Sequence, residues 1–432
     1  MTNPDVFCLT DTGGNILNPS VQATVLAKYS RSPDSARKLV TELSAEEADR
    51  FHEKWTISYG HSSVAELATL PICFEGISII ASKFVEQWPR AGYSEKSTRY
   101  QEFSEESFIT PPGAPSTMKE FAAKYFAAYR SLYPKVLRKC AETMGVDPND
   151  PKVATKVKAR AFDNVRYLLP AGTGTNVAAV MNLRDLRYMV SAARGHTNPE
   201  RRAIGEAVFT AGSSVCPTLL KEAHPDTFEP RIVSIGNSTE PVTLKSWTLD
   251  GVERVKDFVA TKYGMTWDTF SKHMESRDHR QVPNAFKEAR VEFDLIMDFG
   301  AYRDLQRHRR CDQYAEPLTP YLGYEVPDDI LGTELEVEYR EAMELIGFYD
   351  DDRVVNDRDL LQYMVPLGYR HRSTFSMDLK ELYYVVELRT KPQGHISYRR
   401  KAYDMYLGAK RVFPELMPWC EAIRPDSIGE HA

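Results

Sequence analysis

The feature that most constrains this fold is a repeat. Val165-Arg-Tyr-Leu-Leu-Pro170-Ala-Gly172, with its continuation Met181–Tyr188, matches Leu361-Gln-Tyr-Met-Val-Pro366-Leu-Gly368 and Met377–Tyr384 without a gap. Pro170 falls on Pro366, an offset of 196. At that offset Tyr167 meets Tyr363, Gly172 meets Gly368, Met181 meets Met377 and Tyr188 meets Tyr384. Arg184-Asp185-Leu186 likewise meets Lys380-Glu381-Leu382. Residue class is rarely preserved by chance over so long a run, so the chain reads as a duplicated domain. Upstream, Gly60-His61 lies on Asp278-His279 at an offset of 218, and the apolar stretches Leu70–Phe84 and Val291–Leu305 follow them. Copy one therefore has the longer middle segment. Pro225, Pro230 and Pro241, with Gly236-Asn-Ser-Thr239 between them, mark the joint. The expected division is copy one over 1–228, a linker over 229–244 and copy two over 245–432, each copy with its own sheet-and-helix core.

Composition narrows the class. Of the 432 residues, 42% are apolar and 11% aromatic, enough for sizeable cores and too many for disorder as the dominant state. No apolar run approaches the ~18 residues a spanning helix needs. The N-terminus has neither a basic segment nor an apolar one, which predicts no secretory signal and a cytoplasmic protein. A net charge of -6 argues against a nucleic-acid coat. The six cysteines are scattered without a C-x-x-C pair, and the histidines form no H-E-x-x-H, so no metal site is expected.

Local patterns predict an α+β fold. Ser32-Pro33-Asp34 before Ala36–Thr56 reads as a capped helix. Thr117–Thr143 reads as a long amphipathic helix, with Phe121, Tyr125, Tyr129, Leu132 and Val136 on one stripe and a kink or split at Pro134. Leu183–Ala193 and Leu379–Leu388 read as helices, each after an extended, glycine-containing segment.

Two stretches carry candidate chemistry. Gln306-Arg307-His308-Arg309-Arg310-Cys311 follows an apolar run, and its guanidinium forks suit a diphosphate; a solvated basic face reads the same way. A second triplet, Arg370-His371-Arg372, lies in an extended segment and is taken as a decoy. Gly92–Tyr100 (GYSEKSTRY) offers a hydroxyl, a guanidinium and an aromatic plate, suited to a nucleotide monophosphate; a turn at a strand end reads the same way.

Together these pieces resemble the flavin-dependent thymidylate synthases. Members of that family carry Arg-His-Arg, a short spacer and Glu-x-Ser-x-Arg-Tyr in one motif, with Gly-His upstream and Arg-x-x-Leu-Pro, Asn-x-Arg and a helix arginine downstream. Copy one keeps Gly60-His61, Glu95-Lys-Ser97-Thr-Arg99-Tyr100, Arg166-Tyr-Leu-Leu-Pro170 and Asn182-Leu-Arg184. Copy two keeps Arg307-His308-Arg309, Val365-Pro366, Glu387-Leu-Arg389 and Pro418-Trp419. The departures are complementary. Gln87-Trp88-Pro89 stands at the triplet's place in copy one, with Arg90 one position beyond, and Ala193 at the helix arginine's, next to Arg194. Copy two has Tyr314-Ala-Glu316-Pro-Leu-Thr319 for the Glu-Ser-Arg stretch, Gln362 for Arg166 and Asp378 for Asn182.

The resemblance implies FAD as cofactor, and a methyl transfer to dUMP or a related pyrimidine nucleotide using methylenetetrahydrofolate and NADPH. It implies catalytic roles for Arg389 and Glu95. Ser97, Arg99, Tyr100 and Arg166 would bind the nucleotide; His61, Arg307, His308, Arg309 and Asn182 would bind the cofactor. It also implies a homodimer of fused chains, a four-domain assembly, with composite sites drawn from both copies. The alternative is a catalytically silent or substrate-shifted homologue that binds flavin or nucleotide.

Overall fold

The computed structural model describes residues 11, 13, 15–30, 32, 34–58, 62–99, 101–227, 235–277 and 281–425. His61, Tyr100, Asp278-His279 and residues 229–234 of the expected linker lie outside them.

Copy one has a three-stranded antiparallel sheet in the order β1-β3-β2, from Thr69–Ser78, Gly174–Asn182 and Ala91–Glu95. Copy two has a four-stranded sheet in the order β4-β5-β7-β6, from Val242–Trp247, Arg290–Asp298, Arg370–Asp378 and Asp312–Ala315. The extra edge strand β4 begins inside the segment expected as linker. The central strands β3 and β7 obey the 196-residue offset end to end. Each runs straight into its helix, Leu183–Gly195 or Leu379–Arg389, capped by Asn182 or Asp378.

Strand pairing extends the equivalence upstream. Glu95 pairs with Val177 and Ala315 with Ser373, partners 196 apart, so β2 and β6 correspond at an offset of 220. The same offset equates the helices Ile79–Val85 and Phe299–Leu305. Before Phe74 the offset is 221, because copy one inserts a bulge between Phe74 and Ile77. Gly76 there has φ of +63°, which a β-carbon disfavours.

The copies meet about a pseudo-two-fold axis beside the two prolines. Pro170 and Pro366 face each other in an antiparallel bridge. Ala171 N donates to Val365 O at 2.9 Å, and Leu367 N to Leu169 O at 2.9 Å. One step out, Gly172 N donates to Tyr363 O and Gly368 N to Tyr167 O. Each bond has its partner 196 residues away, as a two-fold contact requires.

Three expectations need correction. The copies do not hold separate cores: one continuous core joins Tyr125, Phe126, Leu132 and Phe162 of copy one to Phe293, Tyr339 and Tyr383 of copy two. A second core, with Phe74, Met181, Leu186 and Val208, belongs to copy one alone. The helix expected over Ala36–Thr56 is broken into Ala36–Thr41, Ala45–His52 and a π-turn segment, Glu53–Ser58. Ser44 starts a new helix there through a capping box, its hydroxyl accepting from Glu47 N while Glu47 reaches back to Ser44 N. The third correction is that Thr117–Met144 is one 28-residue helix through Pro134, not two. A proline inside a helix costs about 3 kcal/mol. Buried Tyr129, Leu132, Val136 and Cys140 flank it on the core stripe and offset that cost.

Candidate functional site

The site grows from the strand-to-helix turn of each copy. In copy two, β5 passes into Phe299–Leu305 at Asp298, whose carboxylate accepts from Ala301 N at 2.7 Å. Arg303 and Arg307, four residues apart, leave this segment on one face. They point at copy one. Glu95, the last residue of β2, has a fully buried side chain. Its carboxylate accepts from Ser82 Oγ at 2.8 Å and Lys83 Nζ at 3.1 Å, both of copy one. It also lies 3.1 Å from Arg303 and 3.4 Å from Arg307, both of copy two. Burial opposes ionisation of Glu95, but Arg303, Lys83 and Arg307 together hold its carboxyl well below the usual range.

Beyond Glu95 the chain presents Ser97 and Arg99. Ser97 Oγ accepts from Arg99 N at 3.2 Å, which shapes the turn. Arg99 reaches Asp163 at 2.7 Å, and Arg166 reaches the same carboxylate at 3.4 Å. Arg99 Nε and Arg166 Nε and Nη2 are buried without a hydrogen-bond partner among the described residues. Guanidinium N–H groups left unpaired in a buried place call for acceptor atoms.

Copy two closes the other side. Asp304 lies 3.7 Å from Arg389. Its charge is also felt by Arg166 and His395, as well as by Arg307 and His308. Arg389 Nε donates to His308 Nε2 at 2.7 Å, and its guanidinium stands 5.5 Å from the Tyr398 ring centre. Burial, and secondarily Arg389, lowers the His308 pKa against the pull of Glu381. The neutral ring can then accept that bond. Arg309 crosses back to copy one, donating to Ala91 O at 2.9 Å with its guanidinium 4.7 Å from the Tyr93 ring centre. Arg307–Arg310, Glu381, Tyr384, Leu388 and Arg389 line an open groove of about 530 Å³, completed by Pro89 of copy one.

Of the residues named from sequence, Glu95, Arg307 and Arg309 are joined across the copy boundary. His308 and Arg389 are joined to each other, and Arg99 and Arg166 share Asp163. Asn182 caps its own helix and bonds twice to Asp185. His61 and Tyr100 are outside the described residues. Sequence reasoning missed Lys83, Arg303, Asp304, Asp163 and His395. A signal existed for two of them: Arg303 precedes Arg307 by one helical turn, and Asp163 precedes Arg166 by three residues. The triplet Arg370-His371-Arg372 lies on β7, where Arg370 pairs with Glu325 and Arg372 bonds Ser238 O.

The pseudo-two-fold axis generates a counterpart site at the end of β6, and its chemistry is different. Where the first site has Glu95, Ser97 and Arg99, the counterpart has Ala315, Pro317 and Thr319. Gln87 stands for Arg307, Phe84 for Asp304, Gln362 for Arg166 and Ala193 for Arg389. Arg194, next to Ala193, pairs with Glu206 instead. The losses of the Glu-Ser-Arg stretch, the arginine triplet and the helix arginine thus fall on one site and the other keeps these three, although Asp378, in place of Asn182, is what stands beside its Arg310.

The sequence profile of the family described as thymidylate synthase complementing protein matches residues 16–218 and 250–415. A UPF0159 protein of Chlamydia pneumoniae is 29% identical, over 91% of this chain and 87% of its own length. A flavin-dependent thymidylate synthase of Geobacter sulfurreducens is 25% identical over 48% of this chain and 83% of its own length. Among solved structures, a flavin-dependent thymidylate synthase of Helicobacter pylori complexed with FAD and dUMP is 17% identical, covering 49% of this chain and 96% of that one, with a TM-score of 0.31. One relative spans 91% of the chain and another 48% of it, as two fused copies would produce. The chain belongs to the thymidylate synthase complementing protein family.

Proposed function

We propose that this chain is a flavin-dependent enzyme that methylates a pyrimidine nucleotide, converting dUMP to dTMP with methylenetetrahydrofolate and NADPH, at one composite site per chain. The observation that carries the reading is Arg307 of copy two meeting Glu95 of copy one at 3.4 Å. Each motif half that one copy lacks is supplied by the other.

The residues fit the groups this reading needs. A groove with Arg307, Arg309, Arg310 and Arg389 against Glu381 suits the diphosphate of FAD, and Arg309 Nε is buried without a partner among the described residues. When bound, the flavin supplies hydride transfer. The protein's part is position and charge. Arg99 and Ser97 hold the nucleotide phosphate, and Arg166 offers its free Nε and Nη2 to acceptor oxygens of the same ligand. Arg389, with Nε fixed on His308, has its remaining donors for a base carbonyl, where they stabilise charge developing on the ring. Glu95 is a positioning residue: its buried carboxylate aligns Arg303 and Arg307. His61 and Asn182 are assigned to the cofactor by the family motif.

The test is turnover. FAD-loaded protein with dUMP, methylenetetrahydrofolate and NADPH is expected to form dTMP. Loss of turnover with flavin and dUMP still bound would favour the silent homologue, and loss of both ligands would remove the reading. Light scattering tests the homodimer of fused chains, which predicts a particle of twice 49.2 kDa.

A further inference from the structure

The counterpart site is not filled in. It holds a cavity of about 580 Å³ between the copies, within the range of small-molecule sites. Four glutamines line it: Gln87, Gln306, Gln313 and Gln362. By the structural equivalence they replace Arg307, Glu86, Tyr93 and Arg166 of the first site. Arginines and a glutamate have both given way to amides, so charge of both signs has been removed while the cavity was kept. Phe299 and Tyr302 supply an aromatic wall.

The amide orientations are fixed. Gln306 Nε2 donates to Lys83 O at 2.9 Å, and Gln313 Nε2 donates to His308 O at 2.6 Å. That leaves both carbonyl oxygens as acceptors. Gln306 Oε1 and Gln313 Oε1 are buried with no hydrogen-bond partner among the described residues, and Gln306 is only 8% exposed. Lys83 is committed to Glu86 and Glu95. Of the other cations, Arg201 bonds His196 and, among the described residues, leaves its buried Nε without a hydrogen-bond partner, while Glu316 pairs with Arg372.

We propose that this cavity binds a planar heterocycle of the nucleobase type, donating N–H groups to Gln306 Oε1 and Gln313 Oε1 and packing against Phe299 and Tyr302. The inference takes from the proposed function only the identity of the first site; the lining of the second stands independently.

The full-length chain is titrated calorimetrically with uracil and with adenine, each with saturating dUMP present. One of the two bases is expected to bind with one equivalent per chain. Ala315→Phe, which fills the cavity from β6, and Gln306→Leu, which removes an acceptor at similar volume, should each weaken that binding at least tenfold. Both variants should bind dUMP as the parent does, which also shows that they fold. Binding of neither base, or binding unchanged in both variants, overturns the proposal. So does base binding that is lost in Arg99→Ala, since the base would then occupy the first site. Failure of dUMP to bind anywhere counts against the proposed function alone, because the base titrations still report on the second cavity.

Discussion

The site at the end of β2 and its counterpart at the end of β6 stand on the same backbone and differ in almost every side chain that matters for an anion. In a dimer of identical chains, a substitution appears at both symmetry-related sites at once. Fusion removes that constraint. Arg307 can stay while Gln87 replaces its twin, because the two positions are now separate residues. The sequence difference between copies looks like scattered loss along the chain. In three dimensions it is sorted by site.

The largest expected difference between the two sites is in stability. Glu95→Ala would leave Lys83, Arg303 and Arg307 as uncompensated like charges around a buried place, at a cost of about 3–5 kcal/mol. Ala315→Gly, at the equivalent place, should cost under ~1 kcal/mol. Urea denaturation of the two variants reads this directly, and equal losses would break the comparison.

The second difference is in affinity. Arg99→Ala and Arg307→Ala should each lower affinity for nucleotide or flavin by roughly ten- to a hundredfold, the loss of a charge-assisted bond worth about 1.5–3 kcal/mol. Thr319→Ala, the counterpart of Arg99→Ala, should leave both affinities within about twofold.

The third concerns pH. Burial lowers the pKa of His371 and His395 from 6.5 to about 4, with Arg166 adding to the effect at His395. Each is neutral in the fold and takes up a proton on unfolding, so its contribution is present above pH 6.5 and lost as pH falls toward 4. Asp298 runs the other way. Burial raises it from 3.8 to about 6, so its contribution is present below 3.8 and lost as pH rises through 6. Two histidines outweigh one aspartate, and the protein should lose stability on acidification from pH 6.5 to 5. His395 caps the helix Ile396–Val412, and Asn198 caps the equivalent helix Pro199–Val215. His395→Asn should keep the cap and reduce that acid loss by about 2 kcal/mol. Urea midpoints at the two pH values measure it.

The smallest effect probes the scaffold. In copy one the Ser78 hydroxyl donates to Glu200 at 2.6 Å; in copy two the Ser397 hydroxyl donates to Asp298. Hydroxyl and carboxylate have changed places across one structural contact. Ser397→Ala should cost about 1 kcal/mol, and Ser78→Ala somewhat more because Ser78 also caps the helix Ile79–Val85.

The duplication was legible because Pro170 and Pro366 with their flanking residues hold a gapless register, which the strands β3 and β7 preserve. Complementary loss was legible too, from Gln87-Trp88-Pro89 against Arg307-His308-Arg309. The shared core was not, since an apolar stripe such as Tyr125 to Val136 does not say which copy it faces. Nor were Asp304 and Asp163, single carboxylates whose meaning comes from arginines distant in sequence. The Ser44-x-x-Glu47 box was readable and decisive, but it lies inside a longer run of good helix formers. Pro134 does not split its helix because local propensity is outweighed by packing on both sides.

The most direct test of a single composite site is the stoichiometry of dUMP binding to the flavin-loaded chain, by titration calorimetry. The account predicts one equivalent per 49.2 kDa chain, lost in Arg99→Ala and unchanged in Thr319→Ala. Two equivalents per chain, or one that survives both Arg99→Ala and Arg307→Ala, would contradict it.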